Sequence, residues 1–127
     1  MQRTIIVLFL ACALVSVVGT GAVFADEKHA DHDQMTVKGE ILDMACYIAH
    51  EAKGSDHAAC AKKCAESGQP LGLLTEDGTV YLLYANHKDG SAFEAAKKHA
   101  GQCVEITGGA ANRAGIKGLE VLGVKPL

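Results

Sequence analysis

The chain has 127 residues and a formal net charge of −3, and 49% of its residues are hydrophobic. This length suits one domain around one modest core. A slightly acidic chain without tryptophan lacks the basic surface and stacking aromatics of a typical nucleic-acid-binding protein, so no nucleic-acid partner is expected.

The N-terminal segment has the pattern of a secretory signal peptide. Arg3 supplies a basic start, an uncharged apolar run follows from Ile5 to Val18, and Ala25 provides a small residue just before a polar stretch. We therefore predict that residues 1–25 are a signal peptide and that the mature protein is periplasmic or secreted.

Two other roles are possible for this segment. A retained membrane anchor would need about 20 apolar residues, which is longer than the run seen here. Lipidation at Cys12 would need a lipobox, which Phe9-Leu10-Ala11 matches poorly. We expect no stable membrane span after cleavage.

The mature chain is predicted to begin with a flexible tail over residues 26–34, followed by one domain over residues 35–127. The tail sequence DEKHADHDQ is too polar to be buried. Its His29 and His32 could bind divalent metal weakly, although such a stretch is more often a solvated linker.

Five strands are predicted in the domain from alternating apolar residues, and Asp77-Gly78 is typical of a hairpin turn. A helix is predicted to begin at a capping box of Ser91 and Glu94 and to reach about Ala100. The strands are predicted at 35–43, 71–75, 79–84, 103–107 and 119–124, with a turn-rich connection over 108–118.

Residues 44–68 interrupt the strand pattern. The run from His57 to Glu66 is rich in good helix formers, Ser55 or Asp56 can cap it, and Gly68 and Pro70 are suited to its end. The upstream sequence MACYIAHEA could form a further turn of helix.

This order of elements predicts a mainly β fold, a five-stranded OB-like barrel. A Cys/His-rich helical insertion over residues 44–68 separates strands 1 and 2, and a helix separates strands 3 and 4. The ending, VEITG at 104–108 followed by GLEV at 118–121, resembles the closing strands of exported bacterial OB-like proteins. This resemblance implies the fold and leaves the function open.

The insertion also contains the residues best suited to chemistry. At about 100° per residue, His57, Cys60 and Cys64 share one narrow helical stripe, and Cys46 and His50 lie four residues apart upstream. Thiolate and imidazole are ligands for zinc and copper. We therefore predict a copper or zinc site formed by these five residues.

Exported OB-like copper carriers bind their metal through histidine, methionine and tryptophan on the barrel strands. This chain has no tryptophan, and its candidate ligands lie in the insertion. The site of those carriers therefore does not transfer to this sequence.

Disulfide bonds are the competing interpretation, because the mature chain has an even number of cysteines and is predicted to be exported. A bridge between Cys60 and Cys64 within one helix would be strained. The remaining pairings are 46–60 with 64–103, or 46–64 with 60–103, and they involve Cys46, Cys60, Cys64 and Cys103.

The residues do not indicate an enzyme. Cys60 and Cys64 are separated by three residues, unlike a thioredoxin-type pair, and Ala65 stands where a c-type haem motif needs histidine. We expect a non-enzymatic exported binding protein whose partner is a metal ion or an envelope protein. The alternatives are a disulfide-stapled interaction module, which would bind a protein or small ligand, and a thiol-redox factor.

Overall fold

The computed structural model describes residues 34–127; the predicted signal peptide and nearly all of the predicted tail lie outside this range. A 3-10 turn at Ser55–His57 precedes the second helix. The strands are β1 Gln34–Asp43, β2 Leu71–Leu74, β3 Val80–Ala85, β4 Cys103–Arg113, β5 Ile116–Val121 and β6 Gly123–Pro126, and the helices are α1 Met44–His50, α2 Ala58–Glu66 and α3 Ser91–Lys97.

The first five strands close into a barrel in the order β1-β2-β3-β5-β4, and β4 returns to pair with β1. β3 and β5 run parallel, whereas the other neighbouring strands run antiparallel. The helical insertion separates β1 from β2, and α3 separates β3 from β4. The predicted mainly β, OB-like barrel is confirmed.

The long strand β1 closes the barrel because it pairs on both sides. Residues from Gln34 to Glu40 pair with β4, and residues from Glu40 to Asp43 pair with β2. Gly39 lies just before β1 begins to pair with β2, and a Cβ at this position would overlap the backbone carbonyl of Leu74. The close crossing therefore requires glycine.

Alternating apolar side chains from the strands fill the barrel. Ile41, Leu73 and Leu119 are fully buried, and Ala61 and Ala65 of α2 extend the same core. Small alanine side chains allow a helix to approach the barrel closely. The core is completed by Val37, Leu71, Leu83, Ala96, Ala100, Val104, Ile106 and Val121.

The C-terminal strands differ from the prediction. β4 continues through the predicted turn to Arg113, and the turn that follows consists of Ala114 and Gly115, both at positive φ as a two-residue hairpin turn requires. The predicted last strand is divided, since β5 ends at Val121 and β6 begins at Gly123 and pairs with β4.

The sequence predicts an early end to the fourth strand because Gly108 and Gly109 are typical of a turn. In the structure Gly108 lies inside β4, and a Cβ there would overlap the backbone carbonyl of Glu120. This glycine allows two strands to pack closely and does not reverse the chain.

The helix after β3 is shorter than predicted, and the predicted capping box is not formed. Gly90 is the N-cap, and Asp89 Oδ1 accepts a hydrogen bond of 2.9 Å from the Ser91 N–H. Lys97 is the last residue of the helix. Among residues 34–127, no helix has both the length and the apolar character needed to cross a membrane.

Gly108→Ala should destabilise the domain by roughly 1–3 kcal/mol, because the added methyl group forces β4 away from the backbone of β5. Urea unfolding monitored by circular dichroism measures this loss. Gly123→Ala is the matched control, since its Cβ would make an ordinary 3.7 Å contact with Thr107. Equal stability of the two variants would contradict this account of Gly108.

Candidate metal centre

The candidate site begins where β1 turns into α1. Asp43 is the last residue of β1 and the N-cap of α1, and its Oδ1 accepts a hydrogen bond of 3.0 Å from the Ala45 N–H. Aspartate suits this position because it satisfies a free amide of the first helical turn. The side chain is nevertheless only 1% exposed, which is unusual for a carboxylate.

The loop after α1 returns to β1. Glu51 ends the helix in the left-handed conformation, with φ of 55°. Glu40 Oε1 then accepts a hydrogen bond of 2.5 Å from the Gly54 N–H. The loop leads into the 3-10 turn, whose last residue is the half-buried His57. β1 therefore positions both ends of the segment from α1 to Gly54, since Asp43 caps its start and Glu40 binds its end.

The helix α2 supplies two of the sulfur atoms. Its Ala61 and Ala65 are buried in the core, and this packing determines how the helix is rotated about its axis. In that orientation Cys64 is half-buried and Cys60 is exposed. The thiols thus lie at the edge of the core, where one side is open to solvent.

Within residues 34–127, the possible ligand atoms form two groups of three. The outer triad consists of Cys46, His57 and Cys60, and the inner triad consists of Asp43, Cys46 and Cys64. Within each triad the ligand atoms all lie within 4.8 Å of one another. Cys46 belongs to both triads, so the five residues form one continuous cluster.

Two buried polar atoms in this cluster have no hydrogen-bond partner among the described residues: Asp43 Oδ2 and His57 Nε2. The Asp43 carboxylate also contacts the thiols of Cys46 and Cys64, but a thiol is a weak donor and compensates a buried carboxylate only in part. A buried polar atom without a partner is costly, and its presence in a native fold requires an explanation. A bound metal ion provides one.

The thiols and the carboxylate alter one another's pKa. The Asp43 carboxylate, through its hydrogen-bonding contact and its charge, together with burial, raises the pKa of Cys46 to about 12. The same contact, followed by burial, raises the pKa of Cys64. Without metal, therefore, both thiols keep their protons at neutral pH, and a metal ion must displace these protons to bind thiolate.

For Asp43 itself, opposing effects determine the pKa. Burial alone would raise it, but the neighbouring thiols of Cys46 and Cys64 and the nearby backbone N–H groups lower it by more. The pKa of Asp43 therefore lies below its ordinary value of 3.8, and the side chain is a carboxylate at neutral pH.

The donor set and its spacing fit a transition metal. A tetrahedral zinc ion with zinc–sulfur bonds of about 2.3 Å needs sulfur atoms about 3.8 Å apart. Ligand atoms within 4.8 Å of one another can reach such positions through small side-chain rotations. Thiolate and imidazole suit zinc and cuprous copper, whereas magnesium and calcium prefer all-oxygen sites.

The structure brings together four of the five predicted ligands and adds one that was not predicted. Cys46, His57, Cys60 and Cys64 lie in the triads, while His50 is exposed near the end of α1 and belongs to neither. Asp43 was missed because it was interpreted as part of a strand. Its position immediately before a helix-forming segment was the available signal.

The predicted disulfide pairings are not formed. Cys46, Cys60, Cys64 and Cys103 are free thiols in the structure, and Cys103 belongs to neither triad. Cys103 begins β4, opposite Glu40 of β1. The predicted stapling of the insertion to β4 is therefore absent from the part of the chain that the structure describes.

Comparisons with protein-family models, with curated proteins and with solved structures find no match for this chain.

The ionised Asp43 should stabilise the metal-free fold in a pH-dependent manner. Because its folded pKa is lowered, this contribution is present above 3.8 and is lost as pH falls through the lower folded value. The difference in unfolding free energy between the wild type and Asp43→Asn should therefore shrink as pH falls below about 4.

Urea unfolding at pH 7, 5, 4 and 3 with a chelator present measures this difference. Asn retains the helix cap, so Asp43→Ala should cost about 1 kcal/mol more than Asp43→Asn at every pH. A difference between the wild type and Asp43→Asn that grows on acidification would contradict the lowered pKa.

Proposed function

We propose that this protein binds a transition metal ion with affinity for thiolate, zinc or cuprous copper, in the periplasm or outside the cell. The ion would be held by the cluster of Asp43, Cys46, His57, Cys60 and Cys64. The protein would act as a binding protein without enzymatic activity, and its partners would be the metal ion and an envelope protein that exchanges the ion with it.

The single observation that carries this proposal is the coincidence of unsatisfied atoms with metal ligands. Among the described residues, Asp43 Oδ2 and His57 Nε2 are buried without a well-formed hydrogen bond, and each residue belongs to a triad of possible metal ligands. Leaving a buried polar group unpaired costs about 1–3 kcal/mol. Metal bound at these triads would offset this cost and would explain why polar side chains lie beside the core.

The exposure of Cys60 favours reversible binding over a sealed structural site. Cys46 and Cys64 are half-buried, whereas Cys60 is exposed. An incoming ligand from another protein can therefore reach the metal on the Cys60 side and exchange by replacing one thiolate at a time. Exchange of this kind suits a carrier or a buffer of metal ions.

Support for an exported location comes from the N-terminal sequence. Residues 1–25 combine a basic start, an apolar run and a small residue before a polar stretch. In an oxidising compartment free thiols are prone to oxidation. A metal ion bound to Cys46, Cys60 and Cys64 would protect these thiols.

A thiol-redox role is a second candidate, supported by the distance between sulfur atoms. The sulfur of Cys46 lies within 4.8 Å of those of both Cys60 and Cys64. Loss of two protons and two electrons to a thiol oxidant would form a bridge from Cys46 to either partner. Intact mass after alkylation distinguishes the candidates, since each bridge removes two alkylation sites and two hydrogens.

Cys46→Ser should greatly weaken metal binding, because this thiol is the only residue shared by both triads. Native mass spectrometry of protein purified under reducing conditions, then loaded with zinc or cuprous copper, should show bound metal in the wild type and little in Cys46→Ser. Saturating metal should also raise the unfolding free energy of the wild type by about 2.7 kcal/mol at 100 times the Kd.

Cys103→Ser is the matched control, because it also removes a thiol but changes neither triad. This variant and His50→Ala should bind metal as the wild type does. Absence of metal from the reduced wild type, or equal loss in Cys46→Ser and Cys103→Ser, would overturn the proposed site.

A further inference from the structure

The cluster has more ligand atoms than one ion can use. The ligand atoms lie within 4.8 Å of one another inside each triad, but Asp43 and Cys64 do not join His57 and Cys60 in one such group. An ion held by one triad alone would therefore leave the two unshared ligands of the other triad without a metal.

The unsatisfied atoms are divided between the triads in the same way. Asp43 Oδ2 belongs to a residue of the inner triad, and His57 Nε2 belongs to a residue of the outer triad. Asp43 is only 1% exposed, so water adds nothing to the weak thiol contacts of its carboxylate. One ion would satisfy one of these residues and leave the other as it is.

We propose that the cluster takes two divalent ions of the zinc class, one in each triad, and that the Cys46 thiolate bridges them. This inference rests on the proposed function and specifies the number of ions and the arrangement of their ligands. A thiolate sulfur has more than one lone pair, so the Cys46 sulfur can bond to one ion in each triad at the same time.

Charge balance supports two divalent ions. The carboxylate of Asp43 and the thiolates of Cys46, Cys60 and Cys64 carry four negative charges when ionised, and neutral His57 carries none. Two divalent ions neutralise this set, which matters because uncompensated charge beside a core is costly. The carboxylate oxygen also favours zinc over cuprous copper in the inner triad.

The number of bound ions tests this inference directly. The reduced protein, with His29 and His32 replaced by alanine so that the tail does not contribute, is loaded with zinc, exchanged into metal-free buffer and weighed by native mass spectrometry. We expect two zinc ions per chain. Asp43→Asn, which retains the helix cap, and His57→Ala should each retain one ion.

Two controls match these variants. Asp56→Asn removes an exposed carboxylate beside His57, and His50→Ala removes an exposed imidazole, and neither residue belongs to a triad. Both variants should retain two ions. Circular dichroism of each variant checks that the loss of an ion does not reflect unfolding.

Cadmium-113 tests the bridge, because it replaces zinc and is visible by NMR. Two cadmium signals that both correlate with the β protons of Cys46 would support the shared thiolate. Two bound ions that share no cysteine would overturn the bridge. One ion per chain would overturn this inference while leaving the proposed function intact, and no bound ion would overturn both.

Discussion

The candidate site depends on the burial of one carboxylate at the junction of a strand and a helix. Asp43 ends β1, and one of its oxygens caps α1. Its other oxygen is buried and has no well-formed hydrogen bond within residues 34–127, and the thiols that contact the carboxylate are weak donors. The cap explains why a charged residue is favourable at this junction, but it accounts for only one of the two oxygens. The unpaired oxygen is therefore best explained by a ligand.

The barrel provides the fold and the insertion provides the candidate ligands, and β1 contacts both. The strand pairs with β2 and β4 to close the barrel, and Glu40 within it accepts a hydrogen bond from Gly54 in the insertion. α2 packs its alanines into the core, so its cysteines are held at the rim. The barrel wall thus positions candidate ligands that come from four elements, β1, α1, the 3-10 turn and α2.

The thiols of the metal-free protein are held in a protonated state by the neighbouring carboxylate. This contact raises the pKa of both Cys46 and Cys64 and lowers that of Asp43. A positive ion bound among these groups would favour the deprotonated thiols, because it stabilises thiolate and carboxylate together. The cluster is thus suited to two conditions, a protonated one without metal and an ionised one with metal.

The sequence alone was sufficient for the barrel, the helical insertion and four of the cluster's five residues, because alternation and helical spacing are local properties. It did not reveal the role of Gly108, which depends on the approach of Glu120 from another strand. It also placed His50 in the site and omitted Asp43. Which side chains belong to the cluster depends on where β1, α1, the 3-10 turn and α2 come together. Only tertiary packing against the barrel determines that arrangement.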